Sequence, residues 1–128
     1  MTTPTLSPAT RTALGRIASM HEACGDQARL RLLNLLVAGE LCVCDLVELT
    51  AQSQPFVSRH LARLRAAGLV NVGRKGKFAY YRLMPLEAHA QRQLDAILDG
   101  VHAADARLRR ERARASTLAA RRGATPCD

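Results

Sequence analysis

The sequence predicts one mainly α-helical domain with a single β-hairpin. The chain of 128 residues is long enough for one ordinary core. Most of its apolar residues recur at helical spacing, and two β-prone runs flank a glycine-bounded basic turn at residues 73–77. The formal net charge is +8. This charge admits nucleic acid, an anionic membrane surface or an acidic protein as partner, so its placement must decide among them.

The first two helices are predicted from their start and stop residues. Ser7 followed by Pro8 is typical of a helix start, and Gly25 with Asp26 interrupts the pattern. A second helix is expected from about Asp26 to Ala38, ended by Gly39. Apolar residues cover much of its circumference, which predicts deep burial.

Two short helices joined by a turn follow. The first spans about residues 42–50, and the second begins with Ser53 as its N-cap and continues to Gly68. This is the arrangement of a helix-turn-helix, whose second helix can enter a DNA major groove. The β-prone runs 69–72 and 78–83 then predict the hairpin.

A long helical pattern completes the chain after Met84 and Pro85. One apolar stripe runs along it and needs a partner surface: Leu94, Ile97, Leu98, Val101 and Leu108. From about Arg109 the sequence becomes rich in Arg and Ala, and its last residues are expected to be disordered.

The basic residues are concentrated where a helix-turn-helix meets DNA. From Leu49 to Leu86 there is no Asp or Glu. The same segment holds Arg59, Arg63, Arg65, Arg74, Lys75, Lys77 and Arg82. A solvated surface would tolerate mixed signs, whereas phosphate contacts select against carboxylates. This segment is therefore predicted to bind DNA.

Position along the second helix suggests individual roles. The predicted contacts are Ser53, Gln54, Ser58, Arg59, Arg63, Arg74, Lys75 and Lys77. Residues in the first turns of the helix usually meet base edges, where Gln can pair with adenine and Arg with guanine. Arg63 lies a turn further on and is assigned to phosphate, and the three hairpin cations to the backbone or a minor groove. His60 is predicted to pack between helices.

Cys42 and Cys44 form a candidate soft-metal site. Inside a helix, side chains two residues apart point about 200° from each other. If Cys42 is instead the N-cap and Val43 the first helical residue, the two sulfurs could converge. Asp45 would then complete a capping box, and the helix N-terminus would favour thiolates, which soft cations prefer. The alternative that both cysteines are small buried hydrophobic residues stays open.

Residues 26–83 resemble the ArsR/SmtB family of metal-responsive winged-helix repressors. The resemblance is carried by Arg29-Leu30-Arg31-Leu32-Leu33, Glu40-Leu41-Cys42-Val43-Cys44-Asp45-Leu46, Ser58-Arg59-His60-Leu61 and Ala67-Gly68-Leu69-Val70. It implies a winged helix-turn-helix homodimer that occupies an operator when metal-free and releases it when the inducer binds. The second of these strings is similar to the branch that senses arsenite and antimonite, or cadmium and lead.

One departure from the family pattern affects the metal site. The arsenite branch has a third cysteine three residues after the pair, where this chain has Val47. The third ligand could be Cys24, Cys127, a thiol of the second subunit or a small-molecule thiol. For Cys24 core packing is the alternative, and for Cys127 an incidental thiol.

These observations together predict a cytoplasmic, dimeric transcriptional repressor that is not an enzyme. The inducer is expected to be As(III) or Sb(III), with Cd(II) or Pb(II) and a thiol redox or persulfide signal as alternatives. No apolar run approaches a membrane span, no secretory signal is visible, and there is no Cys-x-x-Cys or phosphate-binding glycine loop.

The expected domain organisation divides the chain near residue 108. A DNA-binding and dimerisation domain is placed at residues 1–108 and a partly disordered tail at 109–128. Leu94, Ile97, Leu98 and Val101 are expected to hold the dimer. The acids Glu40, Asp45 and Glu48 are expected to surround the thiol pair and attract a cation.

Overall fold

The fold is mainly helical with one small antiparallel sheet, as the sequence predicts. A computed structural model describes residues 5–124. The elements in chain order are α1 (Pro8–Cys24), α2 (Gln27–Leu36), β1 (Leu41–Cys42), α3 (Val43–Thr50), α4 (Gln54–Ala66), β2 (Val70–Lys75), β3 (Phe78–Leu83), α5 (Ala88–Ala104) and α6 (Ala106–Ala124).

Side-chain caps fix the starts of the first helices at the predicted residues. Ser7 accepts a hydrogen bond from the amide of Thr10 at 3.2 Å, and Pro8 occupies the first turn of α1. Asp26 caps α2, and Ser53 caps α4 by accepting from the amide of Phe56 at 3.3 Å. The helix-turn-helix of α3 and α4 is therefore confirmed.

The sheet contains one strand more than the sequence predicts. Its order is β1-β3-β2, and the β2–β3 hairpin is the wing of the fold. The additional strand, β1, has two residues and pairs antiparallel with β3, so that Cys42 lies opposite Tyr80. A strand of this length carries no alternating pattern, which is why the sequence gives no sign of it.

Helix α2 runs through the centre of the core. Leu33 and Leu35 are fully buried, and Leu32 and Leu36 are 2% exposed. Helices α4, α5 and α6 and strand β3 all pack against α2. The apolar circumference of this helix is thus used on several sides, as its sequence predicts.

The long C-terminal helical pattern is divided at Asp105. The backbone of this residue is extended, with φ −155° and ψ 136°, and its carboxylate accepts from the amide of Arg107. The chain can therefore reverse direction, and α6 packs against α2, α3 and α5.

Within the tail expected at residues 109–128, residues 109–124 are helical in this structure. These residues belong to α6, and Glu111 and Ala115 are buried. The buried Asn34 of α2 donates to the carbonyl of Leu108 and accepts from Arg112. Arg31 of α2 forms two hydrogen bonds with Glu111, at 2.8 and 2.7 Å. The expected boundary at residue 108 falls inside a docked helix, whereas residues 125–128 lie outside the described part of the chain.

Part of the apolar stripe of α5 lies in the core of this chain. Leu94 is fully buried and Leu98 is 4% exposed, and both belong to the core of this chain. Helix α5 packs against α2 and α6, so these two leucines face the core of one chain, and not the dimer surface expected for them. Ile97 packs at the edge of the same core, and Val101 is half-buried beside a cavity.

Within residues 5–124, none of the helices combines the length and the apolarity that crossing a membrane requires.

Candidate metal centre and nucleic-acid interface

Cys42 occupies the N-cap of α3, the position that the sequence predicts for it. Its sulfur accepts a hydrogen bond from the amide of Asp45 at 3.4 Å. The carboxylate of Asp45 accepts from the amide of Cys42 at 3.3 Å, which completes the capping box. The Cys42 and Cys44 sulfurs are joined as a disulfide in this structure. The two sulfurs therefore lie close together at the start of α3 in this structure.

The two cysteines differ in exposure. Cys42 is 1% exposed because it lies at the end of β1, between β3 and the first turn of α3. Cys44 is exposed in the second helical position. The ligand atoms of Cys42, Cys44 and Asp45 lie within 4.8 Å of one another. A ligand that binds both sulfurs would therefore enter from the side of Cys44, which is the exposed one.

The carboxylate of Asp45 is held by α6 and is not open to a cation. Asp45 is 1% exposed, and Arg122 donates to its two oxygens at 3.1 and 2.8 Å. The carboxylate of Glu40 forms an ion pair with the ammonium group of Lys75 at 2.7 Å and a longer one with the guanidinium of Arg82 at 3.7 Å. Asp45 and Glu40 are thus each paired with an arginine or a lysine in this structure, which reduces the negative charge beside the two sulfurs.

Cys24 does not join this cluster. Cys24, the last residue of α1, is buried in the hydrophobic core, and this burial raises the pKa of its thiol. Cys127 lies outside the described residues. Among residues 5–124, the clustered ligand set contains two thiols and one carboxylate.

Helix α4 presents the predicted reading residues on its outer side. Ser53, Gln54, Arg59 and Arg63 are exposed, and Ser58 is half-buried. The opposite side of the helix is anchored in the core by Val57, Leu61 and Leu64. At the wing, Arg74, Lys75 and Lys77 are exposed. The eight predicted DNA contacts thus belong to two neighbouring elements, α4 and the wing.

Acidic residues from outside the acid-free segment meet some of these cations. Arg63 pairs with Glu22 of α1 at 2.9 Å, and Lys75 pairs with Glu40. These pairs are partly exposed, so each contributes little stability and can exchange for a phosphate. Arg74 and Lys77 have no acidic partner among the described residues.

His60 packs between helices, as predicted. Its ring lies edge-on to Phe56 with the centroids 4.6 Å apart. Its Nδ1 atom is 3.4 Å from the Arg29 guanidinium and 3.9 Å from the carboxylate of Asp26. His60 therefore joins α4 to the start of α2.

A cleft of about 500 Å³ lies between Cys44 of α3, the start of α4 and the wing. Its lining includes Cys44 and Val47 of α3, Gln54 of α4, and Arg74, Lys77 and Phe78 of the wing. The sequence does not predict this cleft, because its residues come from three separate elements. The exposed Cys44 and two cations of the wing therefore lie around one space.

The fold is that of a winged helix-turn-helix transcriptional regulator. Residues 26–72 match the family described as "Bacterial regulatory protein, arsR family". The chain belongs to the ArsR family. Since this family consists of transcriptional regulators, the prediction of a regulator and not an enzyme is confirmed.

One curated relative is the arsenic resistance transcriptional regulator ArsR1 of Pseudomonas putida. The two chains are 49% identical over 78 residues, which cover 59% of this chain and 58% of the relative. This chain thus spans little more than half the length of that protein.

Solved structures resemble this chain over more of its length. One is the homodimeric winged helix-turn-helix DNA-binding domain of a possible ArsR-family regulator from Mycobacterium bovis, with 27% identity and a TM-score of 0.64. The match covers 77% of this chain and 92% of that domain. A "possible transcriptional regulator for arsenical resistance" is 34% identical with a TM-score of 0.53, covering 75% and 95% of the two chains. The predicted winged helix-turn-helix fold is therefore confirmed.

Proposed function

We propose that this protein is a DNA-binding repressor that a soft metal or metalloid, As(III) or Sb(III) first, releases from its operator. The observation that carries the proposal is the convergence of the Cys42 and Cys44 sulfurs at the N-terminus of α3. The identity to a regulator of arsenic resistance supports the choice of metalloid. Cd(II) and Pb(II) are the alternative inducers, because they also prefer thiolate ligands.

The residues present fit a thiophilic ion better than a hard cation. When reduced, Cys42 and Cys44 offer two sulfurs beside the positive end of a helix, which favours their thiolate forms. The nearest carboxylate, Asp45, is already bound by Arg122. Cys42 and Cys44 would therefore hold the inducer, and Asp45 would keep the first turn of α3 in place.

The coupling to DNA follows from what α3 contacts. Helix α3 packs against α4, which carries the proposed reading residues, and also against β3 of the wing. An inducer bound to both sulfurs changes the orientation of the Cys42 side chain, which is the cap of α3. Useful release requires a coupling free energy of about 1–3 kcal/mol between inducer and operator.

The DNA contacts that we propose are divided by element. Gln54, Ser58 and Arg59 of α4 reach base edges, with Ser53 at the start of the helix. Arg63, Arg74, Lys75 and Lys77 contact the phosphate backbone. Their exposure on α4 and the wing supports this assignment.

We further propose that the repressor acts in the cytoplasm as a homodimer, as the Mycobacterium bovis domain is homodimeric. Because Leu94 and Leu98 are buried in this chain, other residues must form the interface. Leu14 and Ile17 of α1 are each 51% exposed and offer an apolar surface of the kind that dimers bury.

A gel-shift titration of the reduced protein with arsenite tests the proposal. We expect arsenite to release the operator from the wild-type protein. The variants Cys42→Ser and Cys44→Ser should bind the operator and resist release. If arsenite releases the operator from both variants, the cysteine pair is not the sensor. If both variants lose DNA binding, the role of the cysteines is structural.

A thiol redox or persulfide sensor is the second candidate. It is favoured by the disulfide that joins Cys42 and Cys44. The same gel shift, titrated with peroxide in place of arsenite, separates the two functions. Release by the oxidant and not by arsenite would overturn the metalloid proposal in favour of this one.

A further inference from the structure

We infer that the cleft beside Cys44 binds a small anionic thiol, which supplies the third sulfur to As(III) held by Cys42 and Cys44. The inference rests on the proposed function and names the partner of the same site. Three observations carry it: the clustered ligand set has two thiols, the side of Cys44 is open, and that side is lined by two cations.

The chemistry requires a third ligand that the described chain does not place at the site. Arsenous acid exchanges its three hydroxides for three thiols. Three As–S bonds form, three As–O bonds break, and each thiol proton leaves with a hydroxide as water. Arsenic stays trivalent, so the reduced pair consumes no oxidant or reductant. Cys42 and Cys44 account for two bonds, and Cys24 lies in the core outside their cluster.

The open approach to the pair leads through the cleft. Cys42 is covered by β3 and α3, and Asp45 is covered by α6, so neither leaves room for a further sulfur. Cys44 is exposed and lines the cleft together with Val47 and Phe78. A volume of about 500 Å³ accommodates a thiol compound with several non-hydrogen atoms beyond its sulfur.

The charge of the cleft selects among thiols. Arg74 and Lys77 line it, are exposed, and have no acidic partner among residues 5–124. A thiol that bears carboxylates can place them against these two cations while its sulfur reaches the arsenic. The same cations are proposed to hold phosphate, so an anionic thiol in the cleft also competes with the operator backbone.

The test compares thiols of different charge on the reduced full-length chain. The protein is reduced with a phosphine, desalted without oxygen, and titrated with arsenite in the presence of mercaptosuccinate, mercaptoethanol or cysteamine. Absorbance of the As–S bonds reports affinity, and native mass spectrometry reports whether the complex contains the added thiol. We expect a complex of one chain, one arsenic and one thiol, bound most tightly with mercaptosuccinate.

A matched pair of variants controls for differences in the intrinsic affinity of the three thiols for arsenic. Arg74→Gln/Lys77→Gln loses two charges at the cleft, whereas Arg110→Gln/Arg114→Gln loses two exposed charges on α6 that do not line it. The ratio of the arsenite affinities with mercaptosuccinate and cysteamine should fall about fivefold or more in the first variant. It should stay unchanged in the second.

The remaining outcomes overturn the inference in distinguishable ways. An unchanged ratio in Arg74→Gln/Lys77→Gln, or a complex without added thiol, shows that the third ligand does not come from the cleft. Loss of arsenite binding in Cys24→Ser would assign that ligand to Cys24. In these cases the proposed function stands. If arsenite does not bind to Cys42 and Cys44 in the presence of any of the three thiols, the proposed function fails as well.

Discussion

Asp45 is the residue through which the thiol pair contacts the C-terminal helix. Its carboxylate accepts from the amide of Cys42 and from the guanidinium of Arg122, so one buried group serves a helix cap and an ion pair. Asp45 is 1% exposed, and the side chain of Arg122 is 22% exposed. Removing one member of such a pair leaves the other charge partly buried, which is costly.

We therefore expect Asp45→Asn to lower the free energy of unfolding by about 2 kcal/mol, measured by urea denaturation. Arg122→Gln should have a similar effect, and the double variant should lose less than the sum because the two residues interact directly. Glu40→Gln is the control, since its pair with Lys75 is more exposed and contributes about 0.5 kcal/mol or less. Additive losses in the double variant would contradict a direct interaction.

Local residues of the candidate site could be predicted from sequence, whereas distant ones could not. Cys42 as the N-cap with Asp45 three residues later is a pattern within one helical turn, and the structure has it. Arg122 is 77 residues from Asp45, and no local pattern connects them. The cleft likewise has no local sequence pattern, because the wing approaches Cys44 only in the folded chain.

At the scale of elements, the close approach of α6 depends on Gly39. This glycine follows α2 with a φ of +140°, and a Cβ added there would lie 2.9 Å from the Cβ of Ala119 on α6. The sequence identifies Gly39 as a helix stop, which it is. It does not identify the second role, because Ala119 is 80 residues away in the chain and no local pattern places α6 against Gly39.

Gly39→Ala should destabilise the protein by about 2 kcal/mol, through the unfavourable φ and the contact with α6. Thermal unfolding measures this loss. Ala119→Gly in the same chain should restore the part that comes from the contact. Gly73→Ala in β2 is the control, because no atom lies within 4 Å of the added Cβ and its φ is not in the left-handed region. Equal losses for the two glycines would show that α6 does not pack where the structure has it.

At this scale, the C-terminal pattern predicts one helix where the structure has two. Leu94, Ile97, Leu98, Val101 and Leu108 keep helical spacing across Asp105, so periodicity alone extends one helix through it. The break between the two helices is visible only in the structure, where the backbone of Asp105 is extended and α6 packs against α2. An apolar stripe shows that a surface is covered, and not whether this chain or a second one covers it.

For the whole molecule, carboxylates at two helix starts link stability to pH. Hydrogen bonds from backbone amides lower the pKa of Asp26, the cap of α2, and of Glu87, the cap of α5. A carboxylate whose pKa is lower in the folded state stabilises the fold above its unfolded pKa, which is about 4. This contribution is lost as the pH falls through the folded value.

We expect the melting temperature to decrease as the pH is lowered from about 5 to 3. The double variant Asp26→Asn/Glu87→Gln should show a shallower decrease, because its caps do not titrate. At neutral pH the variant keeps side-chain oxygens that can accept from the capped amides, which makes it a suitable comparison. A decrease of the same steepness in both proteins would assign the acid sensitivity to other carboxylates.

The short strand β1 joins the proposed thiol sensor to the wing through the sheet. Cys42 lies opposite Tyr80, and Tyr80 lies opposite Gly73, so one transverse row of the sheet contains a thiol at one edge and the wing at the other. With two residues, β1 can detach from β3 while the longer hairpin stays paired. An inducer that pulls Cys42 out of this row would remove the support of one edge of the hairpin. After the inducer is added, amide hydrogen exchange should then increase in β3 earlier than in α4, and time-resolved exchange measures this order.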